Sequence, residues 1–201
     1  MKRLRRRHFW LSPVLVLLVV VACGPVVSER RTGPGPGRTA VGRLQIDAAV
    51  VRVNDRPVTG SVRLFIEDDV RTESTGRATI FFDAGGSLVL GPNTDPLLQL
   101  VTEAGCVGTA VLQVIIRAGT FDFFNVTRVC FCDPQDMVCG VPASDFRVVI
   151  TSSGASITVT RGALRVTVGR PPRQWRQYRL AQGQGMVVRK GRTSGPQPII
   201  K

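Results

Sequence analysis

The chain has 201 residues, 43% of them hydrophobic, with 27 basic residues, 14 acids and a single histidine, His8. That apolar content is enough for a core and excludes a disordered chain, and the length suits one ordinary domain with tails. One histidine, close to the N-terminus, leaves little scope for imidazole catalysis or a histidine-ligated metal.

The first element is a leader. Lys2, Arg3, Arg5, Arg6 and Arg7 precede an apolar run over residues 9–22 that Pro13 interrupts. A spanning helix needs about 20 apolar residues, so this run is short for a permanent anchor and suits a cleaved signal. It ends in Val19-Val20-Val21-Ala22-Cys23-Gly24, a cysteine among small neighbours, which reads as a bacterial lipoprotein signal. The expectation is a signal peptide over residues 1–22 and lipid on Cys23. The protein would then sit on the extracytoplasmic side of the cell membrane. Arg6-Arg7-His8-Phe9 leaves Sec and twin-arginine export both open.

Cleavage there discards His8, and with it Ser-His-Asp and Cys-His nucleophile systems. No catalytic residue, metal site or cofactor is expected, and the chain is not expected to be an enzyme. The leader holds five of the 27 basic residues, leaving 22 against 14 acids, a net charge of +8.

Residues 23–42 contain Gly33-Pro34-Gly35-Pro36-Gly37 and almost no apolar periodicity, the composition of a solvated tether. From Leu44 the texture changes to short β-branched segments separated by Gly, Asn and Asp. Strands are predicted over 50–53, 61–66, 77–82, 87–90, 97–101, 110–117, 121–124 and 127–131. Further strands are predicted over 146–151, 155–160, 164–168, 177–180 and 185–188. Val62, Leu64 and Ile66 share one face of their strand, as do Leu164, Val166 and Val168 of theirs. No stretch of about 12 residues keeps helical periodicity without Gly or Pro. The predicted fold is all-β: a twisted β-solenoid-like or sandwich-like domain of short antiparallel strands over 43–190, with a disordered tail over 191–201.

Within it, Asp69-Val70-Arg71-Thr72, Gly76-Arg77-Ala78-Thr79-Ile80-Phe81-Phe82, Gly86-Ser87-Leu88-Val89-Leu90 and Pro92-Asn93-Thr94 follow one another closely. Together they resemble the core of the FecR-like periplasmic domain. Thr158 to Val166 resembles that family's late hairpin, and Leu180-Ala181-Gln182-Gly183-Gln184 its closing step. The resemblance covers most of 44–190 and implies a twisted solenoid form and a role in signalling contacts. Family members that regulate sigma factors carry a cytoplasmic region and a spanning helix before this domain. That role is not expected here, because the chain starts with its leader. The family's glycine-threonine step before the last hairpin is replaced by a cysteine-bearing insertion.

Besides Cys23 there are Cys106, Cys130, Cys132 and Cys139. An even number outside the cytoplasm predicts two disulfides. Cys130 and Cys132 point the same way on a strand and do not suit each other. Cys132–Cys139 with Cys106–Cys130, and Cys130–Cys139 with Cys106–Cys132, both remain open. A four-thiolate zinc site lacks the usual two-residue gaps.

Charge is divided along the chain. Residues 43–145 hold 13 acids and 8 arginines, while residues 146–201 hold 11 basic residues and no acid. A basic region of this kind suits anionic lipid headgroups or an acidic partner. Alternatively, its arginines pair internally with the earlier acids. Glu67-Asp68-Asp69 reads as a solvated strand-to-turn junction, lacking the spacing of a calcium loop. Arg173, Trp175, Arg176, Tyr178 and Arg179 mix cations with aromatics and form the candidate contact surface, or an edge strand guarded by arginine. The expected function is a lipid-anchored, non-enzymatic envelope protein that makes protein contacts or senses a signal. The alternative is a structural module binding polysaccharide or anionic lipid through its basic C-terminal region. Nucleic acid is not an expected partner.

Overall fold

A computed structural model describes residues 37–101, 111–126, 129–133, 138–169, 176–189 and 192–198. Every regular element among them is a strand, and no helix is present. In chain order, the first are β1 (Ala40–Ala48), β2 (Val51–Val53), β3 (Arg56–Val58), β4 (Ser61–Phe65), β5 (Val70–Thr72) and β6 (Arg77–Phe82). Next come β7 (Ser87–Leu90), β8 (Pro96–Val101), β9 (Val111–Ile116), β10 (Gly119–Val126), β11 (Val129–Asp133) and β12 (Val138–Thr151). The last are β13 (Gly154–Val168), β14 (Arg176–Ala181), β15 (Gln184–Arg189), β16 (Arg192–Thr193) and β17 (Gln197–Pro198). The fold is all-β, antiparallel except for the β9–β11 pair, and sandwich-like.

One long hairpin organises it. β12 and β13 pair antiparallel along their whole length, from Val138↔Val168 to Thr151↔Gly154. Their halves serve different neighbours. Residues 144–150 of β12 pair with β10, and residues 155–158 of β13 with β15. At the other end, residues 138–140 of β12 pair with β11, and residues 163–168 of β13 with β14. The first arm therefore continues β12-β10-β7-β6-β1-β4, and the second continues β12-β11-β9-β8. Both arms contribute to a single apolar core, with Leu44, Ile80, Leu90 and Phe121 from the first and Leu98, Val114, Phe131 and Val166 from the second.

The fold line passes through Asp145. Opposite it, Thr160 is an extra residue in β13, and the register of β10 also slips between Phe123 and Val126. Such bulges bend a strand and sharpen its twist. The Asp145 carboxylate accepts the Asn125 N–H at 2.7 Å and the Arg161 guanidinium at 2.9 Å, and Arg161 also donates to the Asn125 side chain. Inside the bend, Phe146 stacks on Phe123 with centroids 4.5 Å apart and meets Phe131 of the other arm at 5.4 Å. Burial of these three rings and the polar clasp at Asp145 hold the bend from opposite sides.

A small sheet, β3-β2-β5, adds Val51, Val53 and Val70 to the same core. Two boundaries differ from those expected. β1 begins at Ala40, inside the stretch read as tether, and is paired on both edges, by β4 and β6. β16 and β17 lie in the stretch read as a disordered tail and pair with β15. Segments this short carry too little apolar pattern to be recognised without their partner strand.

Candidate functional site

Cys23, Cys106, Arg173 and Trp175 lie outside the described residues. Arg176, Tyr178 and Arg179 belong to β14, which among the described residues pairs with β13 alone and so lies at a sheet edge. Leu180 turns into the core, while Arg176 and Arg179 are exposed. Tyr178 is half-buried, and its hydroxyl is 2.9 Å from the Thr193 hydroxyl of β16. That contact links the edge of the second arm to the edge of the first.

The electrostatics divide as the sequence does. Early acids are matched mainly with early arginines: Asp68 with Arg38 at 2.5 Å, Glu73 with Arg52 at 3.1 Å, and Asp83 with Arg63 at 2.7 Å. Asp55, Asp69 and Asp95 share Arg71 and Arg117 in one network. The charge of Asp69 is the main influence holding Arg71 above its ordinary pKa, with Asp95 and Asp55 adding to it. Burial pulls Arg117 downward, but hydrogen bonding to Asp69 and the charge of Asp95 outweigh it and the net direction is up.

Of the late arginines, two reach back. Arg147 forms a two-pronged contact with Asp122, at 2.6 and 3.0 Å, which raises its pKa. Arg161 takes Asp145 at the fold line. Internal pairing therefore accounts for only part of the late basic charge. Arg165, Arg176, Arg179, Arg189 and Arg192 are all exposed and have no acidic partner among the described residues. They also face one another: Arg165 lies directly opposite Arg179 across β13–β14, and Arg189 opposite Arg192 across β15–β16. Like charges at facing positions are destabilising. By strand alternation the first pair lies on the outer face of one arm and the second on the outer face of the other. Together they form a cationic rim around the shared β14–β16 edge. The sequence exposed the acid-free composition, but not the facing pairs, because register joins residues three to fourteen positions apart.

The Glu67-Asp68-Asp69 reading needs correction. Glu67 is exposed, but Asp68 is 2% and Asp69 7% exposed, so two of the three carboxylates are not solvated. Asp68 accepts from Arg38, the Asn54 amide at 2.8 Å and the Phe65 N–H at 2.8 Å, and Asn54 also receives the Asp69 N–H. A carboxylate can be buried when charge-assisted donors replace its water. Arg38 and Asn54 are distant in sequence from Asp68, so no local pattern announces them.

Cys130 and Cys132 lie on β11, on the face opposite Phe131. Cys130 is 1% exposed. The backbone of Cys139 sits in β12 directly opposite Cys132. Among the described residues, no cluster of three or more His, Cys, Asp or Glu could hold a metal ion. A scan against protein-family models matches no family, and a search of curated proteins finds no match.

Proposed function

We propose that the protein is a lipid-anchored, non-enzymatic module of the cell envelope, with a FecR-like β domain that binds an acidic protein partner through its basic last strands. The observation that carries this reading is the cationic rim: five exposed arginines, two facing like-charge pairs and no acid after Asp145. Facing like charges cost the ladder stability, whereas a partner that brings negative charge removes the repulsion. The lipobox at Cys23 and the tether that follows support the anchored address. The FecR resemblance supports contact or signal sensing rather than chemistry.

A second reading, contact with anionic lipid or polysaccharide, draws on the same rim. It is favoured by reach: a tether of the length of residues 23–39 extends no more than about 60 Å, which keeps the domain near the headgroups. Cross-linking in intact cells, comparing the native chain with an Arg165→Gln/Arg179→Gln/Arg189→Gln/Arg192→Gln variant, separates the two. A discrete protein adduct that disappears in the variant supports the first reading. Adducts to lipid or glycan alone support the second, and identical adducts from both chains overturn the role of the rim.

A further inference from the structure

We infer that the four cysteines of the domain form one specific pair of disulfides, Cys132–Cys139 and Cys106–Cys130, on the outer face of the second arm. The inference rests on the extracytoplasmic reading above, since these bonds need an oxidising compartment.

Register decides between the alternatives. Cys132 and Cys139 are directly opposed in the antiparallel β11–β12 ladder, where Phe131 faces Gly140 and Asp133 faces Val138. Opposed residues in such a ladder have Cα atoms about 4.5–5.5 Å apart, within the range of about 4.4–6.8 Å that a disulfide spans. Cys130 is displaced from Cys139 by two residues along the strand. That diagonal is about 7–8 Å, and beyond about 7 Å a bridge requires the backbone to move. Cys130 and Cys132 are two residues apart on one strand, about 6.8 Å at the usual rise, with parallel Cβ vectors that a disulfide does not accept. Cys132–Cys139 is thus the bridge that the ladder accepts without distortion.

Cys106 is the one domain cysteine left for Cys130. On its other edge, Cys130 pairs with Gln113 of β9, seven residues after Cys106 in the chain. Cys130 and Gln113 lie on the outer face yet are only 1% and 8% exposed, so this part of the outer face is covered. In forming each bond, two thiols lose two protons and two electrons. The electrons pass by thiol–disulfide exchange, through a mixed disulfide, to an oxidised disulfide-exchange protein, which is left as a dithiol.

The test is peptide mapping of the full chain purified from membranes, alkylated without reductant. Trypsin leaves Cys106 on one peptide and Cys130, Cys132 and Cys139 on another, and chymotrypsin then cuts after Phe131 to separate Cys130 from Cys132. The inference requires a Cys106–Cys130 cross-link and a separate Cys132–Cys139 species. A Cys106–Cys132 or Cys130–Cys139 cross-link overturns it. Four alkylated cysteines in a chain already processed at Cys23 overturn it as well, while leaving the anchored address intact. If instead the chain is unprocessed and its thiols are free, the address fails. The pairing is then judged by refolding in a glutathione redox buffer, and any other pattern there overturns it. A Cys132→Ala variant adds a second readout: alkylation at Cys139 alone supports the pairing, and alkylation at Cys106 refutes it.

Discussion

Arg38 and Asp68 meet at 2.5 Å, thirty residues apart, with the guanidinium also donating to the Ile66 carbonyl and lying 5.1 Å over the Phe65 ring. This pair fixes the chain just before β1. Asp68 is nearly fully buried and Arg38 about one-fifth exposed. Removing one partner of a buried pair costs about 3–5 kcal/mol, and the exposure of Arg38 lowers that to about 2–3 kcal/mol. Arg38→Ala is expected to lower the urea midpoint accordingly. A loss below about 0.5 kcal/mol, the usual size for an exposed pair, would show that the contact is incidental.

Arg179→Glu separates folding from binding at the rim. The substitution converts the facing Arg165–Arg179 pair into one of opposite charge. Cross-strand pairs of this kind are worth about 0.2–1 kcal/mol, so thermal stability should hold or rise slightly. Adduct formation with the envelope partner should fall in the same variant. Loss of both together would mean that the arginine serves the fold.

Two glycines with positive φ should respond very differently to alanine. At Gly60 the left-handed conformation is surrounded by open space, so the penalty is the conformational one of about 1–2 kcal/mol. At Gly154, between β12 and β13, a Cβ would lie 2.1 Å from the Val188 carbonyl oxygen. Gly154→Ala must displace β15 and should cost well over the Gly60→Ala penalty in parallel denaturant titrations.

Reduction of the proposed disulfides should destabilise the domain by about 2–4 kcal/mol for each bond, as read from the denaturant midpoint with and without a phosphine reductant. A Cys132→Ala/Cys139→Ala variant should account for the smaller part, because its loop is the shorter of the two.

Replacement of Asp145 addresses the bend itself. Its carboxylate is the common acceptor for Asn125 and Arg161. Hydrogen bonds to charged groups are worth about 1.5–3 kcal/mol, and Asp145→Ala should lose about that much. Amide exchange should accelerate first in β10 around Asn125.

The strands that could be read from sequence were those whose alternation is local. Residues 77–82 and 87–90 were placed as observed, because inward Ala78, Ile80 and Phe82 and inward Leu88 and Leu90 alternate with more exposed positions. The sequence pattern breaks the long hairpin into pieces. Gly162 reads as an interruption between 155–160 and 164–168, but the chain passes through it at positive φ as one strand, β13. β12 likewise begins at Val138, eight residues before the predicted start at 146, within a cysteine-rich segment that has no period-two pattern. At the rim, composition revealed the excess charge, while the facing arginines depend on register and emerge only from the folded ladder. The buried Asp68 was invisible for a similar reason, since Arg38 and Asn54 are brought to it by the fold.

The position of β1 has a mechanical consequence. It is the first described strand, following the stretch proposed as a tether, and it is gripped on both edges, by β4 and by β6. Tension arriving through the residues before Arg38 therefore pulls β1 along its own axis, loading the ladder rungs on both sides together instead of peeling them one at a time. A domain tugged by its leash in this way resists extraction at its entry point. In the proposed anchored protein, a partner moving relative to the membrane would then pull on the rim without unravelling this strand.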